Sequence, residues 1–210
     1  SDITIFSFHP VKIITTGEGG LATTNNPEIA NKLRELRSHG INKDQSKFFT
    51  KNPPPWLYEQ TSLGFNYRMS DIQASLGLNQ FKRLDEIVKK RNKKFEIYLE
   101  LIKDLPIKFL KIPDYVYSSL HLAIICFKDI NAKKHRDIFI EMRNKNIGVQ
   151  LHYSPVHLQP FYKKLGFKKG EFPNAEKYSE SSFSIPLFPE ISFETQHYVI
   201  QCLKNSLLIK

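Results

Sequence analysis

The sequence predicts an α/β protein built as two units. Three observations carry this expectation. A strand, a glycine turn and a second strand open the chain, a long helical pattern fills its middle, and strands and helices then alternate to the end. The 210 residues are 40% apolar and 25% charged, ordinary for a globular chain and too apolar for intrinsic disorder.

Ile3 to Phe8 reads as a short buried strand, Gly17-Glu18-Gly19-Gly20 as a turn, and Leu21 to Thr24 as the returning strand. Asn26-Pro27 marks a helix start, Ile29, Leu33 and Leu36 recur at helical spacing, and Gly40 supplies the stop. From Ile41 to Thr61 the periodicity is lost, and Pro53-Pro54-Pro55 with Trp56 marks a long loop. Ser70 and Gln73 have capping-box spacing. Ile72, Leu76, Leu84, Ile87, Val88, Phe95, Tyr98 and Ile102 then predict one long helix or two in tandem, with Gly77 the weak point.

Beyond Pro106 the plan changes. Leu120, Leu122, Ile124 and Cys126 alternate as in a strand, and Asn131 can cap a helix carrying Ile138 and Met142. Ile147, Val149, Leu151 and Tyr153 alternate again, which would set Gln150 and His152 together on the other face. A Pro- and aromatic-rich loop follows, then a helix near Ala175 to Ser181 and a last one from Phe193 to about Leu207. The division is expected within the long helical stretch, separating residues 1–84 from 85–210.

Lys and Arg outnumber Asp and Glu by 31 to 21, a surplus of +10 that favours anionic partners without choosing among phosphates, nucleic acid and membranes. The run Lys89-Lys90-Arg91 with Lys93-Lys94 motivates a basic binding module as an alternative. It falls on a helix whose apolar face is already used, so a solvated face explains it, and no nucleic-acid motif accompanies it. Cys126 and Cys202 lack partners at metal-ligand spacing and point to free thiols in a reducing compartment. No apolar run approaches the ~20 residues of a spanning helix, and the first residues lack the plan of a signal peptide. The expectation is a cytoplasmic protein with neither membrane nor nucleic acid as partner.

Ser7-Phe8-His9-Pro10-Val11-Lys12, followed by the glycine turn, is the most informative stretch. A lysine just past a buried strand is a candidate for Schiff-base chemistry, because desolvation keeps an amine neutral and nucleophilic. Taken alone, a solvated surface lysine and a hairpin turn explain the same residues. The wording goes further. This segment, Arg37-Ser38-His39-Gly40, Leu63-Gly64-Phe65-Asn66-Tyr67-Arg68-Met69-Ser70-Asp71-Ile72-Gln73-Ala74, and Gln150-Leu151-His152-Tyr153-Ser154-Pro155 with His157 and Gln159-Pro160 follow one another in order. In this they resemble the DegT/DnrJ/EryC1/StrS family of pyridoxal-phosphate-dependent sugar aminotransferases, over nearly the whole chain.

The resemblance implies an α/β fold of fold type I, with a partial cofactor-binding large domain over residues 1–84, including the start of the linking helix, and a small C-terminal domain over 85–210. It implies transfer of an amino group from L-glutamate to the 4-keto carbon of a UDP-linked deoxysugar. Lys12 matches the lysine that binds pyridoxal 5'-phosphate covalently and moves the proton. Ser7 matches a hydrogen-bond partner of the cofactor phosphate, although a small strand residue would explain it equally. Asn66 matches an asparagine that reaches the phosphate from the neighbouring subunit, implying a homodimer with a shared site; a turn residue is the plain alternative. Gln150, Leu151, His152 and Tyr153 match a segment that contacts the sugar nucleotide, with a structural histidine as the alternative for His152. Arg37 and Arg68 are candidates for the donor carboxylate or the nucleotide diphosphate. Lysine rather than histidine at position 12 favours transamination over dehydration.

The family's pyridinium-pairing aspartate, ring-stacking aromatic and Gly-Thr/Ser phosphate loop all lie upstream of the lysine, whereas eleven residues precede Lys12 here. Asp2 is too close to Lys12 in sequence for the aspartate's role. The chain therefore resembles the C-terminal part of such an enzyme, a stretch that alone would be inactive. A non-catalytic dimerisation piece is a further alternative.

Overall fold

The computed structural model describes residues 1–208. The chain divides into two compact units, Ser1–Leu84 and Asp85–Lys210, within which the description stops at residue 208.

In the first unit, β1 (Thr4–Ser7) and β2 (Gly20–Thr23) form an antiparallel hairpin, with Thr4 opposite Thr23 and Ser7 opposite Gly20. The strand, turn and strand are as the sequence predicts, but β1 is not buried: Ile5 is 71% and Phe6 45% exposed. The physical reason is that, among the described residues, the hairpin stands as a two-stranded sheet with no third strand and no helix layer over these side chains. Helix α1 (Pro27–Leu36) begins where Asn26 accepts hydrogen bonds from the amides of Glu28 and Ile29, with Pro27 in its first turn. It ends before Gly40, whose φ of 70° suits glycine and whose amide returns to the Glu35 carbonyl. A Cβ on Gly40 would lie 1.9 Å from the Ser62 carbonyl oxygen, so this crossing of two backbones admits no side chain.

The stretch expected to be all loop is closed at its base by a short antiparallel pair, β3 (Ile41–Asn42) with β4 (Glu59–Gln60). Glu59 accepts from the amides of Phe49 and Thr50 at 2.7 and 2.9 Å. Helices α2 (Asp71–Phe81) and α3 (Leu84–Leu101) are in tandem. The Ser70–Gln73 capping box is formed. The break falls at Lys82–Arg83, and Gly77 lies inside α2 for a packing reason given below.

The second unit carries the core. Strands β5 (Ile107–Phe109), β6 (Ala123–Phe127) and β7 (Ser182–Ile185) form an antiparallel sheet in the order β5-β6-β7. With it fold α4 (Ala132–Asn144), capped by Asn131, the short α5 (Pro160–Lys164), α6 (Pro173–Ser179) and α7 (Phe193–Leu208). The expected phase of β6 is off by one, because every residue of the strand is apolar and alternation cannot choose a face. Ala123, Ile125 and Phe127 are buried, while Ile124 and Cys126 are only half-buried. The strand expected over 147–153 is reduced to a single bridge between Gln150 and Ser184. The Val149 amide turns back to the Ile147 carbonyl instead of continuing a ladder.

Every residue of the continuous apolar core lies between Phe95 and Leu203. Within it Phe95 and Phe109 rings meet at 4.6 Å. Two long-range bonds close it: Tyr98 donates to the Pro186 carbonyl at 2.8 Å, and Gln196 to the Lys94 carbonyl at 2.7 Å. The basic run on α3 is not a uniform solvated face. Arg91 is buried and donates to the carbonyls of Leu120 and His121, and Lys90 pairs with Glu86 and Glu190. Among the described residues no helix is long and apolar enough to cross a membrane, and no cluster of His, Cys, Asp and Glu could hold a metal ion.

Candidate active site

The residues from Phe8 to Gly19 form a closed turn at the end of the hairpin. The Phe8 amide donates to the Gly19 carbonyl, and the Phe8 carbonyl accepts from the Thr16 amide and from Thr15 Oγ1 at 2.8 Å. Pro10 fixes the first bend, where the Lys12 amide returns to the His9 carbonyl at 2.9 Å. Lys12 is half-buried, and its ammonium nitrogen makes no hydrogen bond or ion pair among the described residues. Ser7, five positions earlier, is exposed at the strand end with its Oγ 3.5 Å from the His9 amide. The strand that leads to Lys12 is therefore exposed where a buried one was expected.

Helix α2 holds this turn in place. Gln80 accepts from the Thr15 amide at 3.0 Å, and Gln73 donates from Nε2 to the Glu18 carbonyl at 3.0 Å. Thr16 is 3% exposed and donates to the Glu18 carbonyl. A Cβ on Gly77 would lie 2.7 Å from Thr16 Cγ2, and one on Gly19 2.2 Å from Thr16 Oγ1. Gly77 thus lets α2 close on the lysine turn. From sequence Gln73 was legible only as a helix cap and Gly77 only as a weakness, because both second roles depend on a partner some sixty residues away.

Asn66 lies on a segment that runs antiparallel beside the end of α1. His39 donates to the Phe65 carbonyl, Tyr67 to the Arg37 carbonyl, and Asn66 bridges Ser38. Two of the sequence motifs, Arg37 to Gly40 and Leu63 to Ser70, are thereby side by side. Asn66 itself is exposed, as are Arg37 and Arg68. Ser7, Lys12 and Asn66 all belong to the first unit.

Gln150, Leu151, His152 and Tyr153 belong to the second unit. Their arrangement corrects the expected shared face. Gln150 and Tyr153 are the exposed pair, Tyr153 at 70%, whereas Leu151 and His152 are half-buried. With one bridge in place of a strand, strict alternation does not apply. The Ser184 hydroxyl donates to the Gln150 carbonyl and takes the hydrogen bond of His152 Nε2 at 3.0 Å. Arg143, its guanidinium 5.5 Å from the Phe139 ring centre, donates to Gln150 Oε1 at 3.2 Å. His157 is buried and donates from Nε2 to Glu176 Oε1 at 2.8 Å, where the Gly170 amide also donates. The His157 bond, first, and the Gly170 amide hold the Glu176 carboxyl below its ordinary range. Ser184, Arg143 and Glu176 carry no sequence signal, since each is identified only by what it touches.

The model for the DegT/DnrJ/EryC1/StrS aminotransferase family matches residues 1–204. The chain is 40% identical over 207 residues to the uncharacterized protein MJ1066 of Methanocaldococcus jannaschii, covering 97% of this chain and 53% of that protein. It is 38% identical over 209 residues to a UDP-4-amino-4,6-dideoxy-N-acetyl-beta-L-altrosamine transaminase of Campylobacter jejuni subsp. jejuni serotype O:23/36, covering 99% and 53%. Among solved structures it is similar to Helicobacter pylori PseC, an aminotransferase involved in the biosynthesis of pseudoaminic acid, with a TM-score of 0.88, 28% identity, and coverage of 98% and 53%. The PLP form of Spr1654 from Streptococcus pneumoniae, described as a sugar aminotransferase, gives a TM-score of 0.88 at 30% identity, with coverage of 98% and 52%. The chain spans about half the length of the curated relatives it matches.

Proposed function

The chain belongs to the DegT/DnrJ/EryC1/StrS aminotransferase family and has the α/β fold of the fold type I pyridoxal-phosphate-dependent transferases, and from this premise we propose that it is part of a nucleotide-sugar aminotransferase. In this reading residues 1–84 are the C-terminal part of the cofactor-binding domain and 85–210 the small domain. The amino group passes from L-glutamate to the 4-keto carbon of a UDP-linked deoxysugar. The similarity to the altrosamine transaminase and to PseC supports a substrate of the pseudaminic acid type. The free thiols of Cys126 and Cys202 support a cytoplasmic site of action.

The donor set fits pyridoxal 5'-phosphate. Lys12 offers a primary amine with no competing partner, and Ser7 offers a hydroxyl, which suits a phosphate because it donates without adding charge. Asn66 offers an exposed amide, and in a homodimer it would serve the neighbouring site. When bound, the cofactor supplies an electron sink for the carbanion of the amino donor. Lys12 Nζ would hold the cofactor and, once displaced by the amino donor, would be the free amine that takes a proton from the donor's α-carbon in the first half-reaction and delivers one to the sugar carbon in the second. Thr15, Thr16 and Glu18, fixed by α2, set the position of that nitrogen. Gln150 and Tyr153 supply exposed polar contacts for the nucleotide sugar, and Ser184 and Arg143 hold Gln150 through its carbonyl and its side-chain oxygen.

The observation that carries this reading is the unpartnered Lys12 amine on a turn locked by α2. Borohydride reduction of the cofactor-loaded protein, expressed from its complete gene, tests it. A phosphopyridoxyl adduct is expected at Lys12, and an adduct elsewhere, or none with cofactor bound, overturns it.

A further inference from the structure

In the second unit, the segment from Phe161 to Phe172 holds none of the candidate site residues. It sets Phe161, Tyr162, Leu165, Phe167 and Phe172 at the surface, with Phe161 66% and Leu165 63% exposed. Four of them are rings in one chain of contacts, 5.4 Å from Phe161 to Tyr162, 6.3 Å on to Phe167 and 6.2 Å on to Phe172. The exposed apolar surface is thus continuous rather than scattered, the kind that marks an interaction site. It is also held in shape. Gly166 and Gly170 turn the backbone at φ of 102° and 98°, the Gly170 amide is tied to the buried Glu176 carboxylate at 2.7 Å, and the Phe172 ring lies 4.7 Å from that of His157. Lys163, Lys164, Lys168 and Lys169 alternate with the apolar residues, and all four are exposed. Lys169 pairs with Glu180 at 3.2 Å, and the other three have no ion pair among the described residues. Glu171 is the one acid within the segment.

We propose that this patch docks the protein on an anionic lipid surface. The apolar side chains enter the boundary between headgroups and acyl chains, and the lysine stems extend that apolar surface. Their ammonium groups, which only donate, meet the phosphates of anionic headgroups. A second copy of the chain seated here under two-fold symmetry would set the lysines against one another. Nucleic acid would satisfy the lysines, but successive rings are inclined at 85° and 59°, and Leu165 gives a base nothing to stack on. Contact of this kind needs no spanning helix, and it departs from the sequence expectation of no membrane partner. It stands independently of the substrate proposed above.

Flotation of the protein expressed from its complete gene with lipid vesicles, followed by hydrogen-exchange mass spectrometry, tests the proposal. Vesicles of equal parts phosphatidylcholine and phosphatidylglycerol are expected to bind it about tenfold or more tightly than phosphatidylcholine alone, and added salt to weaken the binding. Exchange at residues 161–172 should slow on the vesicles. Lys163→Gln with Lys164→Gln, and Phe161→Ser with Leu165→Ser, should each weaken binding about tenfold or more. Lys133→Gln with Lys204→Gln removes two exposed cations from α4 and α7 and should leave binding unchanged. All four patch positions are exposed, so the melting temperature of both patch variants should hold at the parent value. No flotation, equal binding to the two vesicle types, or unchanged exchange at 161–172 in the bound parent protein overturns the proposal. So does full binding by either patch variant, or an equal loss in the α4 and α7 control. Polyuridylate that displaces the vesicles and depends on the same four residues would assign the patch to nucleic acid instead, and the lipid surface would fall.

Discussion

At Gly77 a methyl group would meet Thr16 Cγ2 at 2.7 Å, so one missing carbon on α2 decides where the Lys12 turn sits. Replacing Gly77 by Ala would gain about 1 kcal/mol of helix propensity. The crowding is expected to outweigh it, at about 1–3 kcal/mol. Gly77→Ala should shift the amide resonances of residues 12–19 and lower the yield of the Lys12 adduct several-fold. Thr16→Ser removes the opposing Cγ2 while keeping the hydroxyl bonded to Glu18, so the double variant should recover both signals; failure to recover would mean that the contact does not position the turn. Lys12, Ser7 and Asn66 were legible as candidates because their neighbours form a recognisable wording. Thr16 was not, since a threonine in a turn has the same sequence appearance whether buried or exposed.

Elements were legible wherever a local device marks their ends. Asn26-Pro27, Ser70 with Gln73, and Asn131 each open a helix at the expected place. Strands were harder: β5 and β7 carry too few residues to display a period, and β6 is apolar on both faces. Gln73 joins two elements, capping α2 and holding the Glu18 carbonyl. Gln73→Ala should cost about 1 kcal/mol and speed hydrogen exchange at both the α2 start and the Gly17–Gly20 turn; a change confined to the helix would show that the tie contributes nothing.

The segment from Val156 to Glu176 is clamped by Glu176, whose folded-state pKa lies below the ordinary 4.5. A depressed carboxylate pKa contributes stability that is present above the unfolded value and disappears as pH falls through the folded one. Glu176→Gln should therefore lower the melting temperature at neutral pH, and the gap to the parent should narrow as pH drops below 4.5. A gap constant across that range would remove ionisation from the account.

For the whole molecule, the two units differ in kind. All members of the apolar core lie in the second, while the first exposes Ile5, Phe6, Ile72 and Leu78 and buries little beyond Thr16. Opening free energy follows buried apolar contact. In the 210-residue chain, amides of residues 4–23 should exchange at least tenfold faster than those of β6, β7 and α7, and equal protection would contradict this. The expected α/β class and the family wording carried over to the molecule; the uneven distribution of core did not, because burial depends on what lies opposite.

The order β5-β6-β7 bears on how this chain is made. As it leaves the ribosome, β6 has its β5 partner at once, but its other edge stays unpaired until Ser182 has been synthesised. Tyr98 likewise waits for Pro186, and the Lys94 carbonyl for Gln196. Closure of the second unit thus bridges about a hundred residues, although its helix α3 already meets Phe109 and the Leu120 carbonyl once those residues have emerged.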